Sequence, residues 1–386
     1  MALPDIAGLC ERLAAALLDG TWKPCRFTRF AVQEPKLREI FAPDFADRVA
    51  ETWLMALVKK PLSRLLIEDT YANRQGGGTY AAIARAQRLM RRPGNVWCLQ
   101  LDIRNFFNSI HRPTLASLWE TFVQRMSLPP ERLALVLFLS SALLNRSPAD
   151  NHQTVKTSLP LLRNIPRRKS LLGAPPDTGL PIGSVASQHF ANFYLNGLDH
   201  FIKHTLRVRG YIRYMDDLLL LGPEPEVLFR LRDAIASYLH TNLGLFLHPG
   251  KEHLAKARQG ISYLGYRVYP QYLHVSARNV RTLKARLDFF KHLFWPRCFP
   301  LCQKPVRGIW QNLAENGLAP PVRPDWVLLK RMEATINSYY GIMGHAQSHT
   351  LRKRLYHEHF GLLRSFFLPA DADYSAVHVA RRHLYQ

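Results

Sequence analysis

Apolar positions recur at helical spacing in "GGGTYAAIARAQRLMRR" (76–92). Ala82, Ile83, Ala86, Leu89 and Met90 share one face, while Arg85, Arg88, Arg91 and Arg92 supply charge. The glycine run ahead of them is flexible and marks where the helix begins. "VWCLQLDI" (96–103) is a nearly unbroken apolar run and predicts a buried strand. Residues 184–206 return to helical spacing, with Ser184 as N-cap and Phe190, Phe193, Tyr194, Leu198, Phe201 and Ile202 on the apolar side. Tyr211–Tyr214 and Leu218–Leu221 are strand-like, and Met215, Asp216 and Asp217 between them have the length of a tight hairpin turn. "MALPDIAGLCERLAAALLDGTW" at the start predicts an amphipathic helix rather than a signal peptide. From 275 onward the pattern is basic and mostly helical. Proline-rich stretches at 145–153, 173–179 and 296–324 predict linkers.

Composition narrows the class. With 386 residues, two or three subdomains around a large core are expected. Hydrophobic residues make up 47% and charged residues 21%, the balance of a folded chain and not of a disordered one. Fifty-two Lys and Arg against 29 Asp and Glu leave a formal charge of +23, which points to a polyanionic partner. No run approaches the roughly 20 apolar residues of a spanning helix, so nucleic acid is favoured over membrane. Of the five cysteines only Cys298 and Cys302 lie close together, and no second pair completes a zinc site. Reduced thiols in a cytoplasm are the expectation.

Against this positive background, "YIRYMDDLLLLG" (211–222) sets two adjacent carboxylates between apolar runs. Asp-Asp is common in solvated turns. Here the flanks are too apolar for a hairpin lying in water, and Asp102 ends the other apolar strand. If the strands are neighbours, Asp102 and Asp216 project toward one point, a costly cluster unless cations compensate it. Paired Mg²⁺ ions about 3.5–4 Å apart would do so and would organise an in-line phosphoryl displacement. On these grounds metal-dependent nucleotidyl transfer and nuclease chemistry both remain open.

A series of motifs, in order along most of the chain, resembles the reverse transcriptases: "EPKLREIFAPDFADRV", "YANRQGGGTYAAI", "QLDIRNFFNSI", "GLPIGSVASQHFANFYLNGLDHF", "YIRYMDD", "HPGKEHL", "GISYLGYRVYP" and "INSYYGIMGHAQSHTLRKRL". The resemblance implies an α+β right-hand polymerase. Fingers would span 1–95 with the N-terminal helix, and the palm 96–270 with an insertion near 112–178 and a primer grip at 260–270. A helical thumb would span 271–386. It implies metal ligands at Asp102, Ile103, Asp216 and Asp217 for two Mg²⁺, with Mn²⁺ able to substitute. Lys36, Arg38 and Arg74 would meet the triphosphate, for which an Arg fork or a Lys point charge is suited; the alternative for each is a solvated surface charge. Phe107 would lie against the sugar and exclude a 2′-hydroxyl, with Phe106 beside it in the core. Lys251 would protonate the leaving pyrophosphate or simply neutralise phosphate. Ile103, Ile182, Gly183 and Gln188 would complete the nucleotide pocket. Tyr214, Met215, Tyr263, Leu264, Gly265 and Tyr266 would touch primer and template, the last four alternatively forming an ordinary packed hairpin. The basic 275–386 segment would follow the duplex by phosphate contacts.

"LPIGSVASQ" has Ile182 where many reverse transcriptases carry glutamine, and Gln188 where they carry proline. That form resembles the enzymes of diversity-generating retroelements within the bacterial group II-like branch, and implies error-prone copying at template adenines. "RQGGGTY" lacks the lysine relatives tend to have among these glycines, and Leu218 stands where the retroelement enzymes often have phenylalanine. An antiphage-defence reverse transcriptase and a non-catalytic RNA-binding protein are the alternatives. Template RNA, primer or cDNA strand and dNTPs are the implied partners, with a small basic accessory protein or a dedicated non-coding RNA beside them.

Overall fold

Leu218–Leu221 is buried throughout, and the strand it forms is central to the sheet that positions the carboxylates. A computed structural model describes residues 6–33, 36–149, 151–296 and 324–380. The chain divides into two compact units, one up to Lys256 and one from Ala257 onward. The first opens with α1 (Ile6–Leu18), β1 (Phe27–Val32), β2 (Arg38–Ala42), α2 (Phe45–Leu65), α3 (Thr79–Met90) and β3 (Trp97–Asp102). It continues with α4 (Phe106–Ser109), α5 (Arg112–Gln124), α6 (Pro130–Asn145), β4 (His152–Thr154) and α7 (Leu159–Arg163). It closes with α8 (Val185–Tyr194), α9 (Asn196–His200), β5 (Tyr211–Tyr214), β6 (Asp217–Gly222), α10 (Pro225–Leu243) and β7 (His253–Lys256).

The central sheet runs β5-β6-β3-β7, antiparallel throughout. Alternation of side chains along a strand separates its two faces. Leu99 lies opposite Leu220 and Leu101 opposite Leu218, and all four enter a core shared with Phe190, Tyr194 and Ile235. The register therefore sends Asp102 and its partner Asp217 to the other face. The expected face of α3 is buried at Ala82, Ile83, Ala86, Leu89 and Met90.

A second sheet, β2-β1-β4, is tied to the start of α8. Phe41 N donates to Ile182 O at 2.8 Å. Glu51 of α2 accepts from Ser184 Oγ at 2.9 Å and from the Val185 and Ala186 amides at 3.0 and 3.3 Å. Ser184 is the expected N-cap, accepting from Ser187 N. A helix start buried in protein needs such acceptors for its free amides. Glu51 keeps them at the cost of burial, which raises its pKa.

Two local expectations are corrected. The turn between β5 and β6 is Met215–Asp216 alone, because Asp217 pairs with Tyr214 and begins β6. The proline-rich 145–153 stretch ends in β4, which pairs in parallel with β1. Helices α5 and α6 belong to the main core through Leu115, Trp119, Val136 and Leu139, with Trp119 Nε1 bonded to Ser140 Oγ at 2.9 Å. The unit boundary at Lys256 places the 260–270 hairpin with the C-terminal helices.

That second unit contains a three-stranded sheet of β8 (Ile261–Tyr263), β9 (Tyr266–Val268) and β10 (Leu273–Val275). Helices Ala277–Phe294 and Trp326–Gly344 pack through Leu287, Phe290, Met332 and Ile336. Among the helices expected from 275 onward there is also a short antiparallel pair, Phe367–Pro369 with Val377–Val379. Three residues per strand are too few for periodicity to register. Cys298, Cys302 and most of 296–324 lie outside the described residues.

Under the β5–β6 turn lies a buried polar network. Arg213 and Asp199 are both fully buried. The guanidinium meets Asp199 through Nε at 2.8 Å and Nη2 at 2.5 Å, and its Nη1 donates to Asn192 Oδ1 at 2.7 Å. The same Nη1 donates to Met215 O at 3.2 Å. Thr70 Oγ1 and Tyr211 Oη complete the shell of Asp199 at 3.0 and 2.7 Å. Such a pair gains little over an apolar substitute, but breaking it strands a charge. Arg213→Met should therefore cost about 3–5 kcal/mol, read as a lower urea midpoint with unchanged slope, and Arg213→Met with Asp199→Asn should recover part of that loss. Equal stability of wild type and single variant would contradict the network's role.

Candidate active site: carboxylates at a hairpin turn

Three carboxylates meet where β3 ends and β6 begins. Asp102 and Asp217 are register partners. Asp216 occupies the turn, and its carbonyl accepts from Ile103 N at 3.3 Å. Met215, ahead of it, has φ of 55°, a conformation that favours glycine and costs a side-chain-bearing residue energy. The Arg213 bond to Met215 O holds the strained residue in place. Sequence reading passed over Arg213 as one more strand position. The signal was available: a cation between Ile212 and Tyr214, with Asp199 as the one acid of the 184–206 helix, are two charges in apolar segments that ought to pair.

Burial and mutual repulsion govern the acids. Burial first, then Asp102, raises the Asp216 pKa. Asp217 is pushed up to about 7 by burial, then by Asp216 and Asp102. Lys251 offsets this in part, its Nζ lying 2.5 Å from Asp102 Oδ1. The backbone sets that reach: His248 N donates to Asp102 O at 2.8 Å, and Lys251 N to His248 O at 3.2 Å. Arg38 lowers Asp216 and Lys36 lowers Asp217, so both exposed cations stand within electrostatic range of the cluster.

The remaining positions divide. Ile182 is half-buried, with its carbonyl bonded to β2. Gly183 has φ of 125°, and a Cβ there would lie 2.8 Å from Phe41 O; the close approach of β2 admits only glycine. Gln188 is exposed on α8. Phe107 is half-buried against Phe106, ring centroids 5.7 Å apart, and Phe106 is core. Tyr214 Oη is 3.3 Å from Thr79 Oγ1, and Met215 Sδ is 3.9 Å from Asn73 Nδ2. Ile103 is buried, so its carbonyl is the group it has to offer a cation. Arg74 turns inward: Nη1 donates to Ile67 O at 2.5 Å. Tyr263 and Tyr266 are buried in the second unit, as the packed-hairpin alternative would have them. Leu264 and Gly265 form the turn between them, both with positive φ.

Hard carboxylate oxygens are a donor set that fits Mg²⁺ or Mn²⁺. Among the described residues, no three His, Cys, Asp or Glu side chains already converge in metal-holding geometry. The chemistry of the donors fits a divalent cation, and one of them, Asp102, is paired with Lys251.

The helices, antiparallel sheets and carboxylate hairpin define a polymerase-like fold of the reverse transcriptase kind. Residues 34–268, more than half of the chain, match the family model "Reverse transcriptase (RNA-dependent DNA polymerase)", and the chain belongs to that family, whose reaction is RNA-directed nucleotidyl transfer. No curated protein matches it. Among solved structures it is similar to telomerase from Candida albicans in complex with a fragment of telomeric RNA, at 12% identity and TM-score 0.48, covering 91% of this chain and 60% of that one. It is also similar to apo telomerase from Candida tropicalis, at 10% identity and TM-score 0.43, covering 75% and 56%. The chain thus spans about three fifths of the first and somewhat less of the second. No helix among the described residues is long and apolar enough to cross a membrane.

The Asp217 shift has a testable sign. Its pKa is raised on folding, so between about pH 4 and 7 the native state holds the extra proton, and the metal-free protein loses stability as pH rises through that window. A cation on the ionised cluster restores it. Mg²⁺ should raise the melting temperature more at pH 8 than at pH 6, and Asp217→Asn should flatten the difference. Thermal scans with and without Mg²⁺ at the two pH values check this.

Proposed function

We propose that the chain is an RNA-directed DNA polymerase of right-hand architecture that makes cDNA in a diversity-generating retroelement. Fingers are assigned to 1–95, the palm to 96–270 with its insertion, and the thumb to 271–386. The observation that carries the reading is the register of Asp102 with Asp217, with Asp216 in the adjoining turn and Lys251 on Asp102. A nuclease could use the same acids. The family match favours polymerisation.

Asp102, Asp216 and Asp217, with the Ile103 carbonyl, would hold two Mg²⁺ ions, which supply Lewis-acid polarisation and charge neutralisation at the reacting phosphate. The chain's own side chains do the rest. Lys36 and Arg38 bind and orient the triphosphate; Arg74 joins them only by giving up its bond to Ile67. The Phe107 ring packs against the sugar and rejects a 2′-hydroxyl by shape. Lys251 passes its proton to the leaving pyrophosphate. Gly183 lets the nucleotide pocket close on β2. Ile182 leaves out an amide hydrogen bond that would fix the nucleotide, which weakens discrimination between bases. Gln188 lines the same pocket; Tyr214 and Met215, with the Leu264–Gly265 turn, meet primer and template. Template RNA, the growing cDNA and dNTPs are the partners, together with a small basic accessory protein or a dedicated non-coding RNA.

Asp216→Asn should abolish Mg²⁺-dependent deoxynucleotide incorporation on an RNA template while leaving RNA binding and the melting temperature near wild type. Full activity in that variant would overturn the reading, and RNA binding without incorporation by the wild type would support a non-catalytic role.

Ile182→Gln should lower misincorporation opposite template adenine by about fivefold, the equivalent of one net hydrogen bond of about 1 kcal/mol. Sequencing cDNA from a defined RNA measures it, and accurate copying by the wild type would count against the retroelement role.

A further inference from the structure

The segment preceding Gly179 carries three successive cations, Arg167, Arg168 and Lys169, in one 3₁₀ turn with all three exposed. The turn is anchored from two directions. Asn105 Nδ2 donates to Arg168 O at 3.2 Å and Asn108 Nδ2 to Lys169 O at 3.0 Å. On the other side, Glu39 accepts from Ser170 Oγ at 2.9 Å and from Leu171 N at 2.7 Å. Glu39 is itself buried and paired with Arg29.

These anchors belong to the two segments already argued to meet the nucleotide. Glu39 follows Arg38 on β2. Asn105 and Asn108 bracket Phe106 and Phe107 where the chain leaves Asp102 and enters α4. Asn105 adopts φ of 47° to do so, which asparagine tolerates better than most residues. Among the described residues none of the three cations forms an ion pair. Like charges crowded into one turn repel, and a solvated surface loop has no need of a buried carboxylate and two amides to fix it. The fixed geometry favours an anion that arrives with repeated charge.

We propose that Arg167, Arg168 and Lys169 form a phosphate-binding site contributed by the segment before Gly179, placed beside the nucleotide pocket. The ligand chemistry is the nucleotide phosphate, either of the template strand entering the pocket or of the incoming triphosphate. The assignment rests on the polymerase reading for its purpose, while its phosphate chemistry is tested without it.

The variant is Arg167→Ala/Arg168→Ala/Lys169→Ala in the full chain, compared with wild type in melting temperature, RNA binding and dNTP kinetics. If the site holds the template, the Kd for a single-stranded RNA oligonucleotide should rise about tenfold or more. The slope of log Kd against log salt should fall by about 2, since each lost contact on a single strand accounts for about 0.7. The KM for dNTP should stay put. If it holds the triphosphate, the dNTP KM should rise with kcat retained and the salt slope of RNA binding should not change. Unchanged RNA binding and unchanged KM in a variant of normal melting temperature would overturn the proposal. Arg168→Glu alone supplies the same readings should the triple variant melt early, and Arg167→Lys/Arg168→Lys should keep near wild-type binding. Absence of incorporation by the wild type would end the polymerase reading and leave the salt-slope arm still decisive for this site.

Discussion

The pairing of β3 with β6 sets Asp102 against Asp217, and most of the first unit is arranged around that placement. Like charges directly opposite one another on a sheet face are destabilising, and here burial adds to the repulsion. A one-residue slip of β6 against β3 would remove the conflict by turning Asp217 to the face away from Asp102. The slip does not occur because it would carry Leu218 and Leu220 out of the core as well. Each of those side chains contributes about 1.5–3 kcal/mol on burial. The apolar register outweighs the electrostatic cost and delivers two acids at separate points of the chain to one place.

A second constraint keeps the delivered acids in order. The Met215–Asp216 turn uses a left-handed methionine where a hairpin would favour Asn-Gly. Glycine there would relieve strain but free the backbone next to Asp216. The chain keeps the stiffer residue and places under it a guanidinium with two further partners, Asp199 and Asn192, so that the turn carbonyl is held by a group that is itself immobile. The buried ion pair is weak as a source of stability. Its value lies in geometry, since it links β5, the α8–α9 segment and the loop at 69–72 to one turn.

Long apolar elements were legible in the sequence: the face of α3, the β3 strand, the Ser184-capped helix and the two strands of the hairpin all follow from periodicity. The acids were legible as charges in the wrong surroundings, and the resemblance supplied their roles. What sequence could not give was set by tertiary partners. Asp217 joins β6 because Tyr214 and Asp102 flank it, which no local pattern reveals. Arg74 spends its guanidinium on Ile67 because a bend brings that carbonyl near. Tyr263 and Tyr266 alternate with polar neighbours as contact residues might, yet their rings complete a core. Three-residue strands such as Phe367–Pro369 fall below the length at which alternation carries information.

The charge of +23 takes on a different meaning once burial is known. Several arginines do not add to it: Arg213 on Asp199, Arg146 on Asp47 and Arg29 on Glu39 neutralise acids that the fold has enclosed. Those pairs contribute nothing to the net figure. The excess comes from cations left outside, and their placement rather than their number decides what they attract. Lys36 and Arg38 stand near the carboxylates and lower their proton affinity, Arg38 at Asp216 and Lys36 at Asp217. Among the described residues the 167–169 turn has no acid to serve. Its anchoring by Glu39, whose other partner is Arg29, joins the two kinds of arginine in one construction: an enclosed pair that fixes the backbone, and a group of cations held at the surface.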